Sequence, residues 1–149
     1  PRPPRWEYLQ AYVEVRFAAD CVIRTEGAIR VLETAGPPTV YIPPSDQLMN
    51  QLQVSDEQSW CEWKGVARYW SRAKSWRDRH GREEVIAWSY PEPTHEWLVL
   101  QNYVSFYPAR IPCFINGETV RPQGGGFYGG WVTESIVGPW KGTPGTASW

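Results

Sequence analysis

The chain has 149 residues, 15 Lys and Arg against 16 Asp and Glu for a net charge of -1, and ten Trp with eight Tyr. That length makes about one domain with a real core, and the near-zero charge excludes a molecule-wide field that draws it to nucleic acid or an anionic membrane. Hydrophobic residues make up 42% of the chain, yet no apolar run approaches the roughly 18 residues of a spanning helix, so no membrane partner is expected.

From Ala11 to Phe17 apolar and polar residues alternate, with Val13, Val15 and Phe17 on one side, the period of a half-buried strand. Cys21 to Thr25 and Ala28 to Glu33 flank Glu26-Gly27 and read as a hairpin with a short loop. Thr39 to Ile42 is a brief β-branched and aromatic strand stopped by Pro43-Pro44. Ser45 or Asp46 supplies a cap for a short helical turn that carries Leu48, Met49 and Leu52 inward. Val66 to Trp76 and Glu83 to Tyr90 read as two long strands joined through Asp78-Arg79-His80-Gly81. Thr94 opens another short helix through Leu100, and Tyr103 to Tyr107 is a further strand. Asn116-Gly117, between Phe114-Ile115 and Glu118-Thr119-Val120, is the strongest hairpin signal in the chain. Beyond Arg121-Pro122 the composition turns to Gly, Pro and Thr, with Trp131, Trp140 and Trp149 spaced to dock this extension onto the body. Many short strands, 14 prolines and hardly any helical pattern predict a mostly β protein, a single domain over 1–149 with one or two short helices.

Three cysteines, Cys21, Cys61 and Cys113, are odd and sparse, unlike the dense framework of a small secreted scaffold. A reducing compartment is expected, cytoplasmic, or a plastid stroma where a transit segment has been removed. The opening Pro1-Arg2-Pro3-Pro4-Arg5 lacks the apolar stretch of a secretory signal, and its missing Met reads as a processed or trimmed start.

Several chemistries are weighed and set aside. A structural zinc needs four Cys or His ligands, usually in Cys-x-x-Cys pairs, and the three cysteines with His80 and His95 form none, so no metal and no other cofactor is expected. The glycine run Gly124 to Gly130 lacks the Gly-Lys-Ser/Thr ending of a phosphate loop. Between Arg68 and Arg82 six cations face only Asp78, interleaved with Tyr69, Trp70 and Trp76. As a strand, this puts Arg68, Trp70, Arg72, Lys74 and Trp76 on one face, a stripe able to stack bases and hold phosphates. With so little net charge, the favoured reading is a charged, cation–π-stabilised sheet surface, and a nucleic-acid partner is disfavoured.

Five blocks together resemble the domain of unknown function 427 family: Ala28 to Thr34, Pro38 to Asp46, Cys61-Glu62-Trp63-Lys64-Gly65 with Tyr69-Trp70-Ser71, Ala87 to Pro93, and Phe106-Tyr107-Pro108. The likeness covers roughly Tyr12 to Ile111, a β core over 12–111. The remainder, 112–149, is expected to be a hairpin followed by a docked extension, and Phe114 to Trp149 is similar to the extension of longer members, cyanobacterial ones included. The resemblance implies a small two-sheet β-tent (Mss4-like) fold without zinc, and no established activity. Some members carry the label nucleotidyltransferase-like, but no Gly-Ser pair with a carboxylate triplet supports nucleotide transfer here.

Within the blocks, Tyr41, Asp46, Cys61, Lys64, Trp88, Ser89, Tyr90 and Tyr107 are polar or aromatic where a purely structural strand needs only apolar residues. They are expected to line one pocket for a small planar or anionic molecule: Trp88, Tyr90 and Tyr41 as stacking walls, Lys64 as the anion or carbonyl contact, Asp46 as an acceptor. A second expectation is an enzyme in which Lys64 activates the Cys61 thiol, with Asp46 as a further catalytic candidate. A third is a protein-interaction module using the Trp-rich extension and the Arg/Trp strand.

Overall fold

A computed structural model describes residues 3–124 and 128–136 of the chain. The first stretch contains strands β1 (Arg5–Tyr8), β2 (Val13–Ala18), β3 (Cys21–Thr25), β4 (Ile29–Leu32) and β5 (Thr39–Ile42). The middle adds helix α1 (Asp46–Met49), strands β6 (Leu52–Cys61) and β7 (Gly65–Arg72), helix α2 (Lys74–His80), strand β8 (Val85–Ser89), a 3-10 helix (His95–Leu100) and strand β9 (Val104–Phe106). The last stretch holds β10 (Cys113–Ile115), β11 (Glu118–Thr119), β12 (Arg121–Pro122) and β13 (Trp131–Val132). The protein is therefore mostly β, and the sheet pairs whose registers are resolved run antiparallel. No helix among the described residues is long and apolar enough to cross a membrane.

Two compact units share these elements. The first takes the chain up to Tyr41 and again from Phe106; the second is Ile42–Ser105. In the first unit, β4 lies between β1 and β5, and a second sheet runs β11–β10–β2–β3. Val13 and Val15 of β2 and Ile29 and Val31 of β4 are fully buried, as their alternation with polar neighbours demands. Across β1 and β4 the partners Glu7 and Arg30 form an ion pair, with Arg30 Nε 2.8 Å from Glu7 Oε1. The Asn116-Gly117 turn has both residues at positive φ, 49° and 81°, as a tight two-residue hairpin requires. Trp131 is only 1% exposed. Its backbone N–H donates to Pro38 O at 2.8 Å and its indole Nε1–H to Phe106 O at 3.0 Å. Trp140 and Trp149, expected to dock in the same way, lie outside the described residues.

In the second unit the strand order is β9–β8–β7–β6. Ser45 caps α1 by accepting from Leu48 N–H at 3.1 Å, and Leu48 is the residue this turn buries. The hairpin of β6 and β7 breaks register between Val54 and Gln58, and from Asp56 to Trp60 β6 is exposed on both faces. At its far end the hairpin turns through Gly65, whose φ of 104° and approach to Glu92 O leave no comfortable place for a side chain.

The structure corrects three sequence expectations. Glu26-Gly27 joins no hairpin: β3 pairs with β2, whereas β4 pairs with β1 and β5. Thr25 Oγ1 accepts from Gly27 N–H at 2.9 Å, and this side-chain turn sends the chain into the other sheet. The long strand expected from Val66 to Trp76 ends at Arg72, and Lys74–His80 is the helix α2, which raises the helices to three among the described residues. Helical spacing explains it: Lys74 reaches Asp78 four residues on, Trp76 stacks on His80 four residues on, and Gly81 closes the helix in the left-handed region at φ 73°. The proposed single-face stripe of Arg68 to Trp76 is therefore broken. Thr94 does open the 3-10 helix, but its hydroxyl makes no cap and donates instead to Trp63 O at 2.7 Å.

Candidate functional site

Six of the eight expected site residues belong to the second unit, and the hairpin tip between β6 and β7 organises several of them. The tip is fastened to the segment after β8 by two bonds, Thr94 Oγ1–H to Trp63 O and Thr94 N–H to Lys64 O at 3.2 Å. Beside this latch the Lys64 side chain is buried, only 3% exposed. Its ammonium stands 5.4 Å from the centre of the Trp97 ring and 5.8 Å from that of Tyr90. Both aromatic residues are themselves buried. A cation facing two rings at this range is attracted by their quadrupoles, which offsets part of the cost of removing it from water.

Trp88 and Tyr90 are two residues apart along β8 and its extension, so they share a face, while Ser89 turns to the other. Trp88 lies opposite Tyr69 in the ladder, and Tyr69 OH is 2.7 Å from Ser59 Oγ. On the reverse face Ser89 Oγ accepts the indole N–H of Trp70 at 2.8 Å. Cys61 pairs with Gly65 across the hairpin and is half-buried. Asp46 is exposed in the first turn of α1, where its charge suits the free backbone N–H groups. The other two expected residues belong to the first unit. Tyr41 is buried opposite Ile29, and Tyr107 carries the Arg110 guanidinium 4.4 Å above its ring.

The sequence reading did not name Trp97. Its signal is present nonetheless: in the short helix after Thr94, Trp97 and Leu100 are three residues apart, the spacing that turns both inward.

A second, more polar feature of the same unit surrounds α2. Trp76 is flanked by the Arg72 and Arg82 guanidinium groups, 5.1 Å and 5.7 Å from its ring, and stacks on His80 at 3.9 Å. Glu83 accepts from the buried Ser71 hydroxyl at 2.5 Å. That bond, together with Ser55 and the charge of Arg77, holds its carboxyl below the ordinary carboxylate range against a smaller opposing effect of burial. For Arg72 burial acts the other way and pulls the guanidinium pKa down, with Glu84 at 3.9 Å opposing it. Of the remaining cysteines, Cys113 is buried and its thiol donates to Ile111 O, and burial pushes its pKa far up. Among the described residues no three His, Cys, Asp or Glu side chains gather in a way that could hold a metal ion.

The family described as a domain of unknown function (DUF427) matches residues 5–117. The chain belongs to that family. The DUF427 match takes in the whole second unit and the first-unit strands through β10, and the stretch holding Trp131 lies beyond it. No curated protein matches the chain.

Proposed function

We propose that this DUF427 protein is a small-molecule-binding domain, and that Lys64, Tyr90 and Trp97 of the second unit form the recognition centre, with Trp88 beside them. The carrying observation is the buried Lys64 ammonium set against two ring faces. A charge and a ring face together recognise a planar anionic or carbonyl-bearing molecule: the ring stacks, and the ammonium meets the negative end. The latch through Thr94 supports this reading, because a binding group must be held in place before its ligand arrives. The two-sheet β-tent architecture and a metal-free site belong to the same proposal. Tyr41 and Tyr107 are not drawn upon, since they lie in the other unit.

The test is a thermal-shift screen of nucleotides, aromatic carboxylates and other metabolites, repeated with Lys64→Met and Trp88→Ala. A compound that stabilises the native protein and loses its effect in Lys64→Met supports the proposal. Equal stabilisation of both variants by every binding compound sinks it.

A further inference from the structure

The α2 region holds a basin of about 500 Å³, within the range of small-molecule sites. It is lined by three cations, Lys74, Arg77 and Arg82, by the carboxylates of Asp78 and Glu83, and by the Gln53 amide. We propose that this basin is a binding site for a hydroxylated phosphate monoester, that is, a sugar phosphate, separate from the Lys64 centre.

Charge decides the class of ligand. Three cations against two carboxylates leave the basin modestly positive, enough for one anionic group. Part of that charge is already committed, since Lys74 Nζ is 3.5 Å from Asp78 Oδ2. Arg77 and Arg82 are the groups suited to a phosphate, because a guanidinium presents parallel N–H donors that match two phosphate oxygens. Arg82 is also braced, with its guanidinium against the Trp76 ring, so less side-chain freedom is lost when it engages a ligand. Glu83 is braced too, tied to Ser71 and held ionised, so it acts as a fixed acceptor. An ionised acceptor, a second carboxylate and a primary amide match a row of hydroxyl groups.

The same carboxylates argue against a polyanion. A nucleic-acid strand places successive phosphates along its path and gains affinity from each cation it meets. Asp78 and Glu83 repel such a chain within the basin, and α2 interrupts the cationic stripe that would follow it.

Ribose 5-phosphate serves as the probe, in a titration followed by NMR of the full chain. Saturable shifts confined to Gln53 and the 74–83 stretch are expected. Arg77→Gln and Arg82→Gln should each weaken binding about tenfold, the weight of one charge-assisted hydrogen bond. Lys64→Met should leave it unchanged, which separates this site from the proposed recognition centre. Ribose should not bind, and inorganic phosphate should bind more weakly than the ester. The proposal is overturned by no saturable shift at millimolar probe, by unaltered affinity in both arginine variants, or by loss of binding in Lys64→Met. Phosphate binding as tightly as the ester, or an oligothymidylate displacing it at lower concentration, overturns it as well.

Discussion

Tryptophan does different work in the two units. In the first, Trp131 is enclosed, and its indole N–H is satisfied by a backbone carbonyl. In the second, Trp97 and Trp76 offer their faces to cations, Lys64 in one case and two arginines in the other. The same side chain is thus a filler that closes a core and a platform that holds charge. The enclosed Trp131 should therefore answer strongly to stability measurements, and the half-buried, cation-bearing Trp76 weakly.

The largest effect should come from the enclosed ring. Trp131→Ala removes buried volume and leaves Phe106 O without its donor, and chemical denaturation should show a loss of about 3–5 kcal/mol. Trp131→Phe should lose only about 1–3 kcal/mol, the cost of the orphaned carbonyl. A near-neutral Trp131→Ala would break the contrast. Next comes the backbone of the first unit: Gly117→Ala forces a side chain into the left-handed region and should cost about 1–2 kcal/mol, read as a lower denaturation midpoint. Trp76→Leu should cost less, about 0.5–1 kcal/mol in the same measurement, because the cation–π contacts there are partly solvated. A loss as large as that of Trp131→Ala would show that Trp76 is core after all.

Smaller still is the acid response of Glu83. Its folded pKa is depressed, so its contribution is complete above the ordinary Glu value of about 4.3 and fades as the pH falls through the lower folded value. Glu83→Gln should therefore be slightly less stable than the native protein at neutral pH, with the gap closing in acid. A gap that widens in acid would reverse the assigned sign. Smallest of all is Ser105→Ala. The Ser105 hydroxyl is buried with no hydrogen-bond partner among the described residues, so removing it should leave the melting temperature unchanged or raise it slightly.

Legibility from sequence followed burial. β2 and β4 alternate because one face of each is buried, and their pattern is visible in the letters. The Asn116-Gly117 turn is legible because its backbone tolerates few other pairs. β6 is illegible for the opposite reason: Ser55-Asp56-Glu57-Gln58-Ser59 has only Ser55 buried, so no period is written there. α2 was hidden by a β-like mixture of arginine and aromatic residues, although its four-residue pairs and closing glycine were present. For the site, the blocks pointed to Lys64 and Tyr90, which the structure brings within cation–π range. Trp97 escapes sequence reasoning because its association with Lys64, like the Thr94 bond to Trp63 across 31 residues, joins distant segments and is encoded by no local pattern.

β6 ends the strand order of its sheet, with ten residues of backbone along one side and a 71%-exposed Trp60 near its tip. Such a rim is a template on which a neighbouring chain could add itself. Here the rim carries Asp56 and Glu57 in the stretch where the register slips, so an arriving strand would meet both negative charge and a misaligned row of donors and acceptors. Two acidic side chains and one irregularity thus guard the exposed border of the very hairpin that carries Lys64.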